Sequence, residues 1–235
     1  MNPPTPWLQL KEAALDLLFP RWCVGCGREG ELLCASCQAS LPLLTGPLCP
    51  KCGQPLIHAL DCLPCQEWPL AIDSIRSPFR FEGVIRKAIH QFKYQGLKAL
   101  AQPLAELLDE NWRARPSACD VVVPVPLHPR RQRQRGYNHA GLLARKLEGL
   151  IGLPVVEGCL LRRRDTAPQA RTAGAEERRA NVAEVFLCRD QRLEGKRILL
   201  IDDVCTTGAT LDACARALRS AGAASVWGLT LAREI

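Results

Sequence analysis

The stretch Ile198-Leu199-Leu200-Ile201-Asp202-Asp203-Val204-Cys205-Thr206-Thr207-Gly208-Ala209-Thr210 decides how this chain is read. Four consecutive apolar residues predict a buried strand. Two adjacent carboxylates stand at its C-terminal end. A Thr/Gly/Thr loop then opens directly into a helical pattern that runs through Leu218. Such a loop suits an anion, because N–H groups at a helix N-terminus are free and the helix dipole favours negative charge. Thr206, Thr207 and Thr210 offer hydroxyl donors. Gly208 lets the backbone turn tightly and come close to a ligand. Asp202 and Asp203 cannot face the same anion without repulsion. They suit sugar hydroxyls or a bound Mg²⁺, so the segment as a whole suits a phosphorylated sugar. An ordinary strand–turn–helix would make poor use of two adjacent acids before a Thr-Gly turn.

Outward from this motif, helical and strand patterns alternate. Residues 83–93 form an amphipathic helix with Val84, Ile85, Ala88, Ile89 and Phe92 on one face. Gly96 suits its C-terminal stop. A second helix is expected at about residues 98–113, and a third at residues 139–150. Val121-Val122-Val123 reads as a short buried strand stopped by Pro124-Val125-Pro126. Val155-Val156 starts another strand, residues 182–187 are a candidate, and residues 225–231 form the last. Residues 72–81 read as one or two edge strands, because Pro78 excludes a central position. Residues 162–181 are polar and Arg-rich and predict a mobile loop with a short helix. The alternation predicts an α/β fold with a parallel sheet. Ligands of such sheets bind at the carboxyl ends of the strands, where Asp202-Asp203 and the loop after Val123 both lie.

The N-terminal third makes an independent claim. Eight of the chain's 13 cysteines form four Cys-x-x-Cys pairs: Cys23/Cys26, Cys34/Cys37, Cys49/Cys52 and Cys62/Cys65. Each spacing turns two thiolates toward one metal, and four thiolates complete a tetrahedral Zn²⁺ shell. Two structural Cys₄ zinc sites are expected. A disulfide framework fits poorly without a secretory signal. Redox chemistry needs one such pair, not four. An iron–sulfur cluster uses the same ligands. Sequential grouping gives the shorter loops, and a crossed grouping stays open. We therefore divide the chain into residues 1–68, an N-terminal helix with a double zinc-finger module, and residues 69–235, the α/β domain. The helix is the amphipathic segment 7–19, expected to pack on the zinc module.

The 235 residues are 47% hydrophobic and 23% charged, as in ordinary globular proteins. No apolar stretch approaches a membrane span. Cys119, Cys159, Cys188, Cys205 and Cys214 fit a reducing cytoplasm. The net charge is +7, and residues 126–197 alone hold sixteen Lys/Arg against eight Asp/Glu. A localised cationic region implies a polyanionic ligand such as pyrophosphate or a nucleic acid. Its densest part is the loop at residues 124–139. There Arg130, Arg131, Arg133 and Arg135 can bind phosphate oxygens with guanidinium forks, and Gly136 permits close backbone approach. Tyr137 beside these arginines could stack on a single strand. Lys93 is a further candidate anion ligand, or a partner of its helix dipole.

The motif at residues 198–210 resembles the 5-phosphoribosyl-1-pyrophosphate (PRPP) motif of type I phosphoribosyltransferases. The resemblance implies that Asp202 and Asp203 hold the ribose hydroxyls. It also implies that Thr206, Thr207, Gly208, Ala209 and Thr210 cradle the 5-phosphate, that Val204 and Cys205 belong to the PRPP-binding segment, and that the 130–136 loop holds pyrophosphate. Several motifs occur in one order with it: the cysteine pairs, Phe92-Lys93-Tyr94-Gln95-Gly96, Val123-Pro124-Val125-Pro126, Arg135-Gly136-Tyr137-Asn138, and Gln169 with Glu177-Arg178-Arg179 and Asn181. Together they resemble the ComF family, the ComFC/GntX-like group. That family has Phe-Asn-Gln where this chain has Tyr137-Asn138-His139, so His139 is not counted as a site residue. The resemblance implies a zinc finger fused to a phosphoribosyltransferase fold that binds Mg²⁺-PRPP. Gln169, Arg171, Arg178, Arg179 and Asn181 would belong to a flexible loop over the ribose. It further implies a role in natural transformation, with single-stranded DNA and DNA-uptake proteins as partners in the cytoplasm. The zinc module would then be a docking surface.

Overall fold

A computed structural model describes residues 21–56, 62–67, 69–163 and 185–235. The helix expected at residues 7–19 lies outside them. So do Gln169, Arg171, Arg178, Arg179 and Asn181, and the first part of the strand candidate at 182–187.

The apolar run of the opening motif is strand β6 (Arg197–Cys205), at the centre of a parallel sheet. It pairs on one side with β3 (Val121–Pro124) and on the other with β7 (Ser225–Arg233). Beyond β7 lies β1 (Ser74–Arg76), extended past Pro78 by β2 (Phe79–Arg80). The expected edge position of residues 72–81 is thus met. Side chains alternate along β6 with the strand period of two. Ile198 and Leu200 enter one core with Leu211, Cys214, Ala215 and Leu218 of α7 (Ala209–Ser220). Leu199 and Ile201 enter a second core on the opposite face. That core is built by α3 (Gly83–Tyr94), α4 (Ala101–Ala114) and α6 (His139–Ile151). A strand buried on both faces reads as an unbroken apolar run, which is why the pattern was legible.

Two expectations are corrected. Residues 124–139 are not a simple loop: Pro129–Arg135 is a helix, α5. Pro129 sits in its first turn, His128 accepts a hydrogen bond from the Arg130 N–H, and Gly136 ends it in the left-handed region at φ 77°. Pro near the start and Gly just past the end are helix punctuation. Gly136 therefore terminates the helix. Second, Val155-Val156 yields one bridge, Val155 to Val122, and not a strand. The candidate at 182–187 becomes β5 (Phe186–Cys188), paired antiparallel with β4 (Leu160–Arg162) away from the main sheet.

The cysteine-rich region carries two short helices, α1 (Ala35–Ala39) and α2 (Leu63–Glu67). It covers the free edge of the sheet. The Leu44 N–H donates to Pro78 O at 2.7 Å, and the Arg80 N–H donates to Pro42 O at 2.8 Å. Open edges invite wrong pairing, so this cover has a stabilising purpose. Cys23, Leu33, Cys37 and Leu41 join the core that holds Phe79, Ile85 and Ile89. No helix among the described residues is long and apolar enough to cross a membrane.

Candidate functional site

The carboxyl end of β6 gathers four ionisable side chains. Asp203 shares a face of the strand with Leu199 and Ile201, so it points toward α3 and α6. It is buried, with 2% of its surface exposed. Lys93, in the last turn of α3, places Nζ 2.7 Å from its Oδ1. His139, the first residue of α6, places Nε2 2.8 Å from its Oδ2 and 3.9 Å from Asp202 Oδ1. The imidazole is out of line for hydrogen bonding, so Asp203 Oδ2 accepts no hydrogen bond among the described residues. Asp202 is more open, its side chain 14% exposed, and its Oδ1 accepts from the Asp203 N–H at 2.9 Å.

These surroundings push the two carboxyls apart. Burial and the Asp203 charge raise Asp202 to about 6. Burial also acts on Asp203, but His139 and Lys93 outweigh it and hold that carboxyl well below the usual carboxylate range. Burial pulls Lys93 down, while the Asp203 and Asp202 charges prevail and raise it. Lys93 was expected to face an anion. Here it pairs with Asp203.

His139 is the residue that sequence reasoning passed over. Its signal was positional. Asn138 caps α6 by accepting from the Ala140 N–H at 3.1 Å and ties the helix start to Val125 O at 3.0 Å. That anchors position 139 at the ligand end of the sheet. His139, Asp202 and Asp203 each offer an atom within 4.8 Å of the others. This nitrogen and oxygen donor set, with a carboxylate oxygen lacking a hydrogen bond, fits a divalent cation.

Beside the acids, residues 206–208 turn into α7. Thr206, Thr207, Ala209 and Thr210 are exposed. Gly208 caps the helix at φ 84°, where other residues are strained, and Ile75 Cδ1 lies 3.0 Å from where its side chain would begin. Thr207 Oγ1 accepts from the Ala209 N–H at 3.3 Å, which shapes the loop. Cys205 differs from the rest of the motif: its side chain is buried and meets Arg233 Nη1 at 2.9 Å. It braces the loop from behind. Asp212, in the first turn of α7, is also structural. Its carboxylate accepts from the N–H groups of Ala71 and Ile72 and from Arg216.

The four arginines of α5 do not converge. At a helical step of about 100° per residue, Arg131 and Arg135 share one side and Arg130 and Arg133 another. Arg135 Nη1 lies 3.3 Å from His139 Nδ1, and its guanidinium covers the Tyr94 ring at 4.6 Å. Arg135 therefore reaches the acidic centre, while Arg130 and Arg133 are exposed to solvent. Tyr137 is not available for stacking. It is 8% exposed, and its hydroxyl donates to Phe92 O. Tyr94, at 62% exposed, is the open aromatic beside the arginines.

The eight cysteines gather as two groups in sequential order, Cys23/Cys26/Cys34/Cys37 and Cys49/Cys52/Cys62/Cys65. The closest sulfur pairs are Cys26–Cys34 at 3.7 Å, Cys49–Cys65 at 3.8 Å and Cys52–Cys62 at 3.5 Å. A ZnS₄ tetrahedron with bonds of about 2.3 Å has edges of about 3.8 Å. The thiols thus fit two structural zinc ions.

Fold and cysteine geometry together define a zinc-ribbon protein carrying a phosphoribosyltransferase fold. The double zinc ribbon domain family matches residues 14–66, and the phosphoribosyl transferase domain family matches residues 132–234. The chain is 32% identical to Competence protein ComFC of Bacillus subtilis over 88% of this chain and 86% of that protein. It is 31% identical to Competence protein F of Haemophilus influenzae over 85% of this chain and 90% of that protein. It is 32% identical to DNA utilization protein YhgH of Salmonella typhimurium over 80% of this chain and 85% of that protein. The chain belongs to the ComF family. Among solved structures, it aligns with the glutamine PRPP amidotransferase of B. subtilis at TM-score 0.40 and 21% identity, over 56% of this chain and 26% of that one. Adenine phosphoribosyltransferase of Leishmania tarentolae aligns at 0.37 and 17%, over 58% and 71%.

Proposed function

We propose that this chain binds Mg²⁺-PRPP at the carboxyl end of β6 and acts in competence, in the cytoplasm, where incoming single-stranded DNA is handled. The observation that carries the ligand reading is the division between the two acids. Asp203 is committed to Lys93 and His139, while Asp202 stays open beside the exposed loop at residues 206–210. In this reading Asp203 fixes the strand end, Asp202 meets the ribose hydroxyls, and the loop N–H groups and threonine hydroxyls take the 5-phosphate. Arg135 approaches from the α5 side, where pyrophosphate would lie. Asp202, with Asp203 and His139 behind it, would hold the cation. Mg²⁺ supplies charge neutralisation to the departing pyrophosphate. The bond from ribose C1 to the pyrophosphate oxygen breaks, and a nitrogen acceptor bonds to C1. Gln169, Arg171, Arg178, Arg179 and Asn181 would exclude water from that centre.

The names of the relatives support the competence role. A nucleic-acid reading coexists with it, because Arg130 and Arg133 are exposed and Arg135 lies on the open ring of Tyr94. Arginines around an exposed aromatic suit a single strand, by phosphate contact and stacking. DNA-uptake proteins would dock on the zinc module. Calorimetry with Mg²⁺-PRPP and fluorescence titration with a single-stranded oligonucleotide separate the two activities. An Asp202→Ala/Asp203→Ala variant should lose PRPP and keep the oligonucleotide. Retained PRPP binding by that variant sinks the ligand reading.

A further inference from the structure

Arg233, near the C-terminal end of β7, is 1% exposed. A guanidinium stays charged in any protein environment, and burying it without a counter-charge is strongly unfavourable. Yet among the described residues no carboxylate pairs with it. Nη1 donates to Cys52 O at 2.8 Å and meets Cys205 Sγ at 2.9 Å; Nη2 donates to Gln54 Oε1 at 3.2 Å; Nε has no partner. Each of these contacting atoms is formally neutral. Cys52 is a ligand of the second cysteine group, and four thiolates around Zn²⁺ leave that centre doubly negative. Through the Cys52 carbonyl, Arg233 holds the backbone of one of these ligands.

The same guanidinium bridges two regions. Its Cys52 and Gln54 contacts lie on the second zinc knuckle, and its Cys205 contact lies at the base of the phosphate loop. A second route runs in parallel through the edge strand. The Ile75 N–H donates to Lys51 O at 2.8 Å, and Ser74 Oγ donates to Pro50 O at 2.7 Å. A side chain at Gly53 would strike Ile75 O at 2.6 Å. On its other side, Ile75 packs under Gly208. Knuckle, edge strand and loop are therefore one packed unit.

We propose that Arg233 is a positioning residue that couples the second zinc centre to the phosphate loop, so that zinc at Cys49, Cys52, Cys62 and Cys65 sets the loop's conformation. The structural part holds whatever the loop binds; its effect on ligand affinity rests on the phosphate reading above.

The test uses the full-length zinc-loaded chain and its Arg233→Met and Arg233→Lys variants. Zinc transfer to a chromophoric chelator reports the metal, and hydrogen exchange of residues 205–210 reports the loop. Ribose 5-phosphate is the affinity probe. Partners that brace metal ligands typically change metal affinity about ten- to a hundred-fold. Arg233→Met should release one of the two zinc ions faster by that order, speed loop exchange and weaken ribose 5-phosphate binding. Arg233→Lys should recover part of each effect. Should Arg233→Met fail to fold, a Cys62→Ser/Cys65→Ser variant, emptied of the second zinc, must show faster exchange at residues 205–210. Unchanged zinc release and loop exchange in a folded Arg233→Met protein, or an unchanged loop in the cysteine variant, overturns the coupling. Failure of the wild-type protein to bind ribose 5-phosphate would count against the phosphate reading alone.

Discussion

Asp202 and Asp203 are chemically identical neighbours that the fold treats in opposite ways. Asp203 faces the helical core, where Lys93 and His139 hold it ionised. Asp202 faces the open end of the sheet, and burial beside a charged neighbour pushes it toward protonation. The difference teaches that a two-acid motif need not be two equivalent ligands. One acid is locked into the core by its partners, and the other stays open at the end of the strand.

The largest effect should come from breaking the buried pair. Asp203→Ala leaves the mostly buried Lys93 ammonium uncompensated, and removing one partner of a buried pair costs about 3–5 kcal/mol. Urea unfolding should show a loss of that order, whereas Asp202→Asn should stay within about 1 kcal/mol of the parent. Equal losses in the two variants would erase the distinction. Next, Lys93→Met added to Asp203→Ala should be less harmful than the two single changes together, with a coupling of about 0.5–3 kcal/mol in the double-mutant cycle. Strict additivity would mean that the pair does not interact. His139→Gln keeps a polar group beside Asp203, so we expect a loss of only about 1 kcal/mol, read from the same unfolding curves. The smallest effect is a titration. Carboxyl-carbon NMR should find Asp202 ionising near pH 6, while Asp203 stays ionised to far lower pH. The linked stabilities have opposite signs. The raised Asp202 favours the folded state when protonated, so its contribution falls as pH rises from about 4 to 6. The lowered Asp203 lends stability above the usual carboxylate range and loses it as pH falls.

Much of this was legible in the sequence, for identifiable reasons. The β6 run read as a buried strand because both its faces meet helices. The eight zinc ligands followed from the two-residue spacings, while their sequential grouping, which the spacings left open, came from the structure. The edge position of residues 72–81 followed from Pro78. Three features were hidden because they depend on contacts across the chain. His139 gains its role from Asp203, 64 positions away in sequence. Arg233 meets Cys52 across 181 positions. Tyr137 looked like a stacking residue among arginines, and only the position of Phe92 shows that it is core. The α5 helix was legible, but the density of arginines drew the reading toward a loop and away from the Pro129 and Gly136 punctuation.

The most direct test is calorimetric titration of Mg²⁺-PRPP into the zinc-loaded wild-type protein and into Asp202→Asn. The account predicts saturable binding by the wild type, lost in a variant whose stability is unchanged. No binding by the wild type, or equal binding by Asp202→Asn, would contradict it.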